Sequence, residues 1–135
     1  FALDIVKLHR GMSTLPPPTG DPEEEAAAQQ KLLELVVQVL GGDRGVIVFQ
    51  DPGEVLRLGA IVPRDQEVSV NRVVLRTTLR ERRAVLCNDA INDERFKKTE
   101  TVRKDKIGSL LAYPLLRGSG VVGLVYLDAV EGRTG

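Results

Sequence analysis

The residues of this chain best suited to chemistry gather in one polar stretch, Asn88 to Lys106. It carries Asp89, Asp93, Glu94, Arg95, Lys97 and Lys98. A guanidinium such as that of Arg95 is a fork of donors that fits a carboxylate or phosphate at two points. The bland alternative is structural. Asp93 would cap a short helix starting at Glu94, Arg95 would pair with Asp89 or Asp93, and Phe96 would plug the core under the loop. A second group is the row Arg72, Arg76, Arg80 and Arg83, at spacings of four, four and three residues. Such a row either faces water or grips an anionic partner, an acidic face of a second copy included. Cys87, between Leu86 and Asn88, reads as a small buried apolar residue. A redox role would need an electropositive, partly exposed setting. The lone His9 reads as a surface or packing residue.

Composition removes many alternatives. The chain has 135 residues, 42% of them hydrophobic and 28% charged, which suits one soluble globular domain. Nineteen basic and nineteen acidic residues cancel, so no general field draws it to nucleic acid or to an anionic membrane. One cysteine excludes an internal disulfide and a cysteine-rich zinc site, and a single histidine disfavours a histidine-based metal site or a Ser-His-Asp machine. Gly118-Ser119-Gly120 is turn chemistry and not a phosphate-cradling P-loop. No carboxylate pair stands out as an acid/base dyad. No apolar run reaches the roughly 18–20 residues of a membrane span. We therefore expect a non-enzyme with no metal and no cofactor. The lone cysteine fits a reducing compartment, with the cytoplasm as the expected location. The first residue is Phe1, and the expectation is a piece of a longer chain.

The elements that must position these groups follow from period and punctuation. Ala2 to Ser13 reads as a short helix with a partial apolar stripe (Leu3, Val6), and Leu15-Pro16-Pro17-Pro18-Thr19-Gly20 as a loop. Asp21 as cap, Pro22 at the first helical position and Glu23 to Glu25 in the first turn start a second helix. Gly41-Gly42 ends it. The period then shifts from 3.6 to 2. Gly45–Gln50 and Val55–Val62 read as a hairpin around Asp51-Pro52-Gly53-Glu54. Val70 to Arg83, with Ser69 as cap, reads as a third helix, and Ala84–Cys87 as a short strand. Ile107–Leu116 and Val121–Ala129 form a second hairpin. The parts are residues 1–20 (helix and Pro-rich loop), the domain proper at 21–130, and a frayed tail at 131–135. The order implies an α+β layer fold on an antiparallel sheet of five to six strands.

Three stretches in register with that order resemble a GAF domain, the sensory module related in fold to PAS domains. They are GDRGVIVFQ (Gly42 to Gln50), AVLCNDAINDERF (Ala84 to Phe96) and IGSLLAYPLLRGSGVVGLVYLD (Ile107 to Asp128). The Tyr126-Leu127-Asp128 ending and the DERF loop look most like the GAF domains of sigma-54-type transcription activators and of forkhead-associated signalling proteins. Cyclic-nucleotide GAF domains carry an Asn-Lys pair where this chain has Leu127-Asp128, which disfavours that ligand. Bilin-binding members use a cysteine commonly followed by histidine, whereas Asn88 follows Cys87. Methionine-sulfoxide-reducing members need several thiols.

The resemblance implies N-terminal helices on one face of the sheet and a ligand pocket on the other, roofed by Asn88–Lys106 and the third helix. Its lining would come from Asp89, Asn92, Asp93, Arg95, Phe96 and Lys106 of the segment, and from Ser109, Leu111 and Tyr113 of the adjacent strand. The implied role is a regulatory sensor of a bacterial signal-transduction or transcription-regulatory protein. It would take a small molecule or a partner and relay the state to an effector domain in the same full-length chain. A homodimer built partly on Ala2–Ser13 is expected, with no direct contact to nucleic acid or membrane. The alternative is a dimerising scaffold that binds no small molecule.

Overall fold

The computed structural model describes residues 21–65, 68, 70–96 and 106–130. The helix expected at Ala2–Ser13, its Pro-rich loop, Ser69 and the tail lie outside the described residues. Helix α1 (Pro22–Leu40) begins as its sequence dictates: the Asp21 carboxylate accepts from the amides of Glu23 at 3.0 Å and Glu24 at 3.4 Å. This satisfies donors that the first turn cannot bond internally. It ends at Gly41, whose φ of 71° is left-handed, a conformation that glycine adopts without a Cβ clash. Leu33, Val36, Val37 and Leu40 form its buried face. Each contributes about 1.5–3 kcal/mol on leaving water.

Strands β1 (Arg44–Asp51), β2 (Val55–Val62), β3 (Val85–Cys87), β4 (Ile107–Arg117) and β5 (Gly120–Val130) make one sheet in the order β2-β1-β5-β4-β3. Every neighbouring pair is antiparallel. The two hairpins are thus joined side by side through β1 and β5, with Val46 opposite Tyr126 and Arg44 opposite Asp128.

The sheet has two apolar faces. Leu33, Val36, Val37 and Leu40 of α1 pack on Ile47, Phe49, Ala60, Leu111, Leu115, Val125 and Leu127. On the other face Val46, Leu110, Ala112, Leu124 and Tyr126 meet Val74, Val85, Ala90, Phe96 and Ile107. Gly45 sets how closely α1 approaches: a Cβ there would lie 2.7 Å from Val37 Cγ2 and 2.8 Å from Leu127 Cδ2.

The third helix differs from expectation. Instead of one α-helix over 70–83, a short α2 (Arg72–Leu75) passes into a π-helical turn (Arg76–Arg80). Its described cap is Asn71, whose side-chain Oδ1 accepts from the Val74 amide at 3.0 Å. The buried Thr78 hydroxyl donates to Val74 O at 2.8 Å. A side chain bonded into the helix ladder in this way accompanies a widened turn, which no propensity scale foretells. Among the described residues no helix is long and apolar enough to cross a membrane.

Candidate functional site

The segment after β3 is tied to the sheet by its backbone. The Ala90 amide donates to Gly108 O at 2.8 Å, and the Phe96 amide donates to Asp93 O at 3.0 Å. Phe96 is fully buried in the core beneath. Asp93 and Arg95 form the centre. Arg95 donates from Nε to Asp93 Oδ1 at 3.1 Å and from Nη2 to Asp93 Oδ2 at 2.9 Å. The Arg95 amide also donates to Asp93 Oδ1, at 2.8 Å. The guanidinium lies over the Phe96 ring, 4.9 Å from its centre, and reaches Leu86 O at 3.4 Å. Cys87 completes the group, its Sγ donating to Asp93 Oδ2 at 3.3 Å.

The electrostatics follow from these bonds. The Arg95 side chain holds the Asp93 carboxyl well below the usual carboxylate range. Asp93 in turn raises the Arg95 guanidinium. Burial, helped by the Asp93 hydrogen bond, pushes the Cys87 thiol upward. A thiol held protonated is a poor nucleophile and a poor metal ligand. Among the described residues no group of three or more His, Cys, Asp or Glu side chains could hold a metal ion.

Of the residues expected to line a pocket, Asp93, Arg95 and Phe96 come together as described. Asp89 and Asn92 are exposed beside them and bonded to each other at 2.9 Å. Lys106 is exposed at the turn before β4, with a φ of 55°. Ser109 is half-buried on β4, paired with Ala129. Leu111 and Tyr113 are not brought to this group. Leu111 packs in the α1-side core, and Tyr113 is paired with Val125 of that same core. The sheet therefore separates both side chains from the segment.

A polar network that the sequence did not single out lies on the segment's side of the sheet. Arg44 donates from Nε to Asp128 Oδ1 at 2.9 Å and from Nη2 to Asp128 Oδ2 at 2.8 Å. The buried Tyr126 hydroxyl donates to Asp128 Oδ2 at 2.7 Å. Main-chain bonds extend it, with the Asp43 amide donating to Asp128 O at 2.8 Å and the Val130 amide donating to Asp43 Oδ2 at 2.7 Å. The signal was parity. Asp128 follows Leu124 and Tyr126 at every second position, so a carboxylate points into a core and must be paired.

The chain matches the family model of the GAF domain over residues 22–134. It belongs to the GAF family. No curated protein matches it. Among solved structures, a GAF domain region from a Geobacter sulfurreducens protein has a TM-score of 0.64 at 20% identity, covering 83% of this chain and 81% of that one. Staphylococcus aureus NreA, mutated in its nitrate-binding site, gives a TM-score of 0.66 at 14% identity, covering 84% and 91%. The GAF domain of Thermosynechococcus elongatus PixJ, in its blue-light-absorbing form, gives 0.65 at 16% identity, covering 89% and 77%. These likenesses establish the fold. GAF homologues are sensor and signalling domains, and the five-stranded antiparallel sheet flanked by helices is the architecture expected of one.

Proposed function

We propose that this GAF domain is a non-catalytic regulatory sensor of a bacterial signal-transduction or transcription-regulatory protein. It takes a small molecule on the sheet face away from α1 and relays occupancy to an effector domain. One observation carries the reading: the two faces are closed in different ways. The α1 face is sealed by a 19-residue helix. The other face is covered by a short α-to-π helix and by a turn segment. The polar bonds of that segment are largely local, Asp89 to Asn92 and Asp93 to Arg95. Among the described residues its ties to the sheet are few, namely the Ala90 amide on Gly108 O, the Cys87 and Leu86 contacts of Asp93 and Arg95, and the buried Phe96. Releasing them would let the segment shift without breaking the sheet ladder, which a two-state sensor requires. The network from Tyr126 through Asp128 to Arg44, Asp43 and Val130 runs from that face to the final residues of β5, which gives a route outward.

The test is thermal unfolding of the purified chain against nucleotides, metabolites and small inorganic anions. Nitrate is included because the NreA neighbour has a site for it. A ligand at a hundredfold excess over its Kd adds about 2.7 kcal/mol, which raises the midpoint by several degrees. No response across the panel overturns the small-molecule reading.

A second reading, a dimerising scaffold, is favoured by the outer face of α1. Leu35 and Val39 are 57% and 63% exposed, and with Ala28 they form an exposed stripe at spacings of seven and four residues, flanked by Leu32, which packs against the core. Light scattering of the chain and of a Leu35→Glu, Val39→Glu variant tests it: a dimer should become a monomer, and an unchanged mass in both rejects it.

A further inference from the structure

On the small-molecule reading above, we infer that the ligand of the second sheet face is a neutral, carbonyl-bearing molecule, and that the Asn71 side-chain amide is its hydrogen-bond donor. The two helical covers of the sheet differ in what they bury. The covered face of α1 is aliphatic throughout, with Leu33, Val36, Val37 and Leu40. The cover of the other face buries Asn71, Val74 and Thr78, while Arg72, Arg76 and Arg80 between them are exposed. Tyrosines aside, the buried polar side chains among the described residues are Asn71, Thr78 and Asp128. Two of the three therefore stand on the covered side of this one short helix.

Their hydrogen bonds separate them. Asp128 is satisfied by Arg44 and Tyr126. The Thr78 hydroxyl spends its proton on Val74 O. Asn71 is 7% exposed, and its Oδ1 is held by the Val74 amide at 3.0 Å. That bond fixes which end of the side-chain amide is which. It leaves Nδ2, with two N–H donors, without an acceptor among the described residues. A buried donor left unsatisfied is costly, and most such groups in folded proteins have a partner. A ligand oxygen supplies one.

The surroundings set the rest of the ligand. Val68, Val70, Val73, Leu75 and Leu79 pack against this core and are only partly covered, so the molecule offered to Asn71 is otherwise apolar. An anion is the poorer fit. Arg44 and Arg95 are each bonded at two points to a carboxylate, and the three arginines of the helix are exposed. A buried carboxylate or oxoanion would lack the uncommitted cation it needs among the described residues. A neutral carbonyl oxygen needs only the donor that Asn71 has to give.

The experiment is a proton–nitrogen NMR titration of the 15N-labelled 135-residue chain. The probes are cyclohexanone and acetophenone, their hydrocarbon isosteres methylenecyclohexane and α-methylstyrene, and the anions benzoate and nitrate. The Asn71 side-chain signal is identified by its loss in Asn71→Ser. The expected result is a saturable shift of that signal by the ketones, which bind at least about tenfold more tightly than their isosteres. In Asn71→Ser and Asn71→Asp the ketones should bind no better than the hydrocarbons. Serine and aspartate both cap helix starts and neither carries an amide donor, so two variants guard against a failure to fold. The assignment is overturned if ketone and isostere bind equally, if either folded variant keeps the preference, or if nitrate or benzoate moves the Asn71 signal at lower concentration than the ketones. In each of those cases a small molecule still binds, and the sensor reading stands. Silence from all six probes, with a thermal response to another compound, also overturns the carbonyl assignment alone. Silence in both experiments overturns the two together.

Discussion

Arg44 and Asp128, 84 residues apart in sequence, meet as a two-point ion pair across β1 and β5, with the Asp128 carboxylate fully buried. Arg44 comes from the first of the three family-like stretches and Asp128 from the last. Their pairing is why both are there: each is acceptable in the interior only because of the other. Removing one partner leaves a buried charge, so Asp128→Asn and Arg44→Met should each cost about 3–5 kcal/mol. The joint replacement Arg44→Met, Tyr126→Phe, Asp128→Leu removes the whole network, the Tyr126 hydroxyl included. It should recover much of that loss. Guanidinium denaturation midpoints of the three proteins decide it, and a triple variant no better than the singles would show that the pair holds more than itself.

The seat of α1 on the sheet is set by a missing side chain. A Cβ on Gly45 would intrude on Val37, Leu127 and Leu33, so Gly45→Ala should destabilise by about 1–3 kcal/mol through overpacking. Val37→Ala opens room at the same point. The double variant should cost less than the two single costs added together, by about 1 kcal/mol. Additive urea-melt values would mean that α1 shifts as a body and that the contact is not the constraint.

What could be read from sequence was local. The Asp21-Pro22 start and the Gly41-Gly42 end of α1 are short-range chemistry, and both stand where expected. The hairpins were legible from alternation bounded by Asp51-Pro52-Gly53 and Gly118-Ser119-Gly120. The α-to-π change was not, because it accompanies a Thr78 hydroxyl whose burial depends on the sheet beneath. The sides of Leu111 and Tyr113 were not legible either. Leu110 through Leu115 are all buried, so β4 has no polar alternation to say which parity faces which layer. For Asp93 and Arg95 the mutual pairing foreseen in the sequence is the geometry observed. The helix expected after Asp93 is instead a turn at residues 94–96, with the Arg95 amide donating to the Asp93 carboxylate.

Asp93 and Cys87 should give opposite pH signatures. The folded state lowers the Asp93 pKa, so its contribution is complete above the unfolded value of about 3.9 and is lost as pH falls below it. Because Arg95 is half exposed, the pair is worth only about 1 kcal/mol. Asp93→Asn should lose that amount at pH 7, and the loss should shrink only gradually as pH falls from about 3.9 through the much lower folded value. Burial raises the Cys87 pKa, so its contribution is intact below about 8.5 and fades as pH rises beyond. Cys87→Ala should flatten the alkaline side of the stability curve. Iodoacetamide should modify Cys87 slowly at pH 8, and faster in Asp93→Asn. A wild-type rate equal to that of free cysteine would contradict the pinned thiol.

Strand β2 is an edge of the sheet, and Val55, Leu56 and Leu58 on it are 62%, 43% and 58% exposed. Such an edge invites pairing with another chain. At its far end the Gln30 side chain of α1 occupies the open backbone positions, donating from Nε2 to Ile61 O at 2.8 Å and accepting from the Ile61 amide at 3.4 Å. The amide group imitates a neighbouring strand and ends the edge before it is long enough to recruit one. Gln30→Ala should cost about 1 kcal/mol for the lost bonds and lengthen the exposed edge. The variant should show concentration-dependent light scattering at temperatures where the native chain stays clear. Lost stability without added scattering would mean that Gln30 holds α1 to the sheet and does not guard its edge.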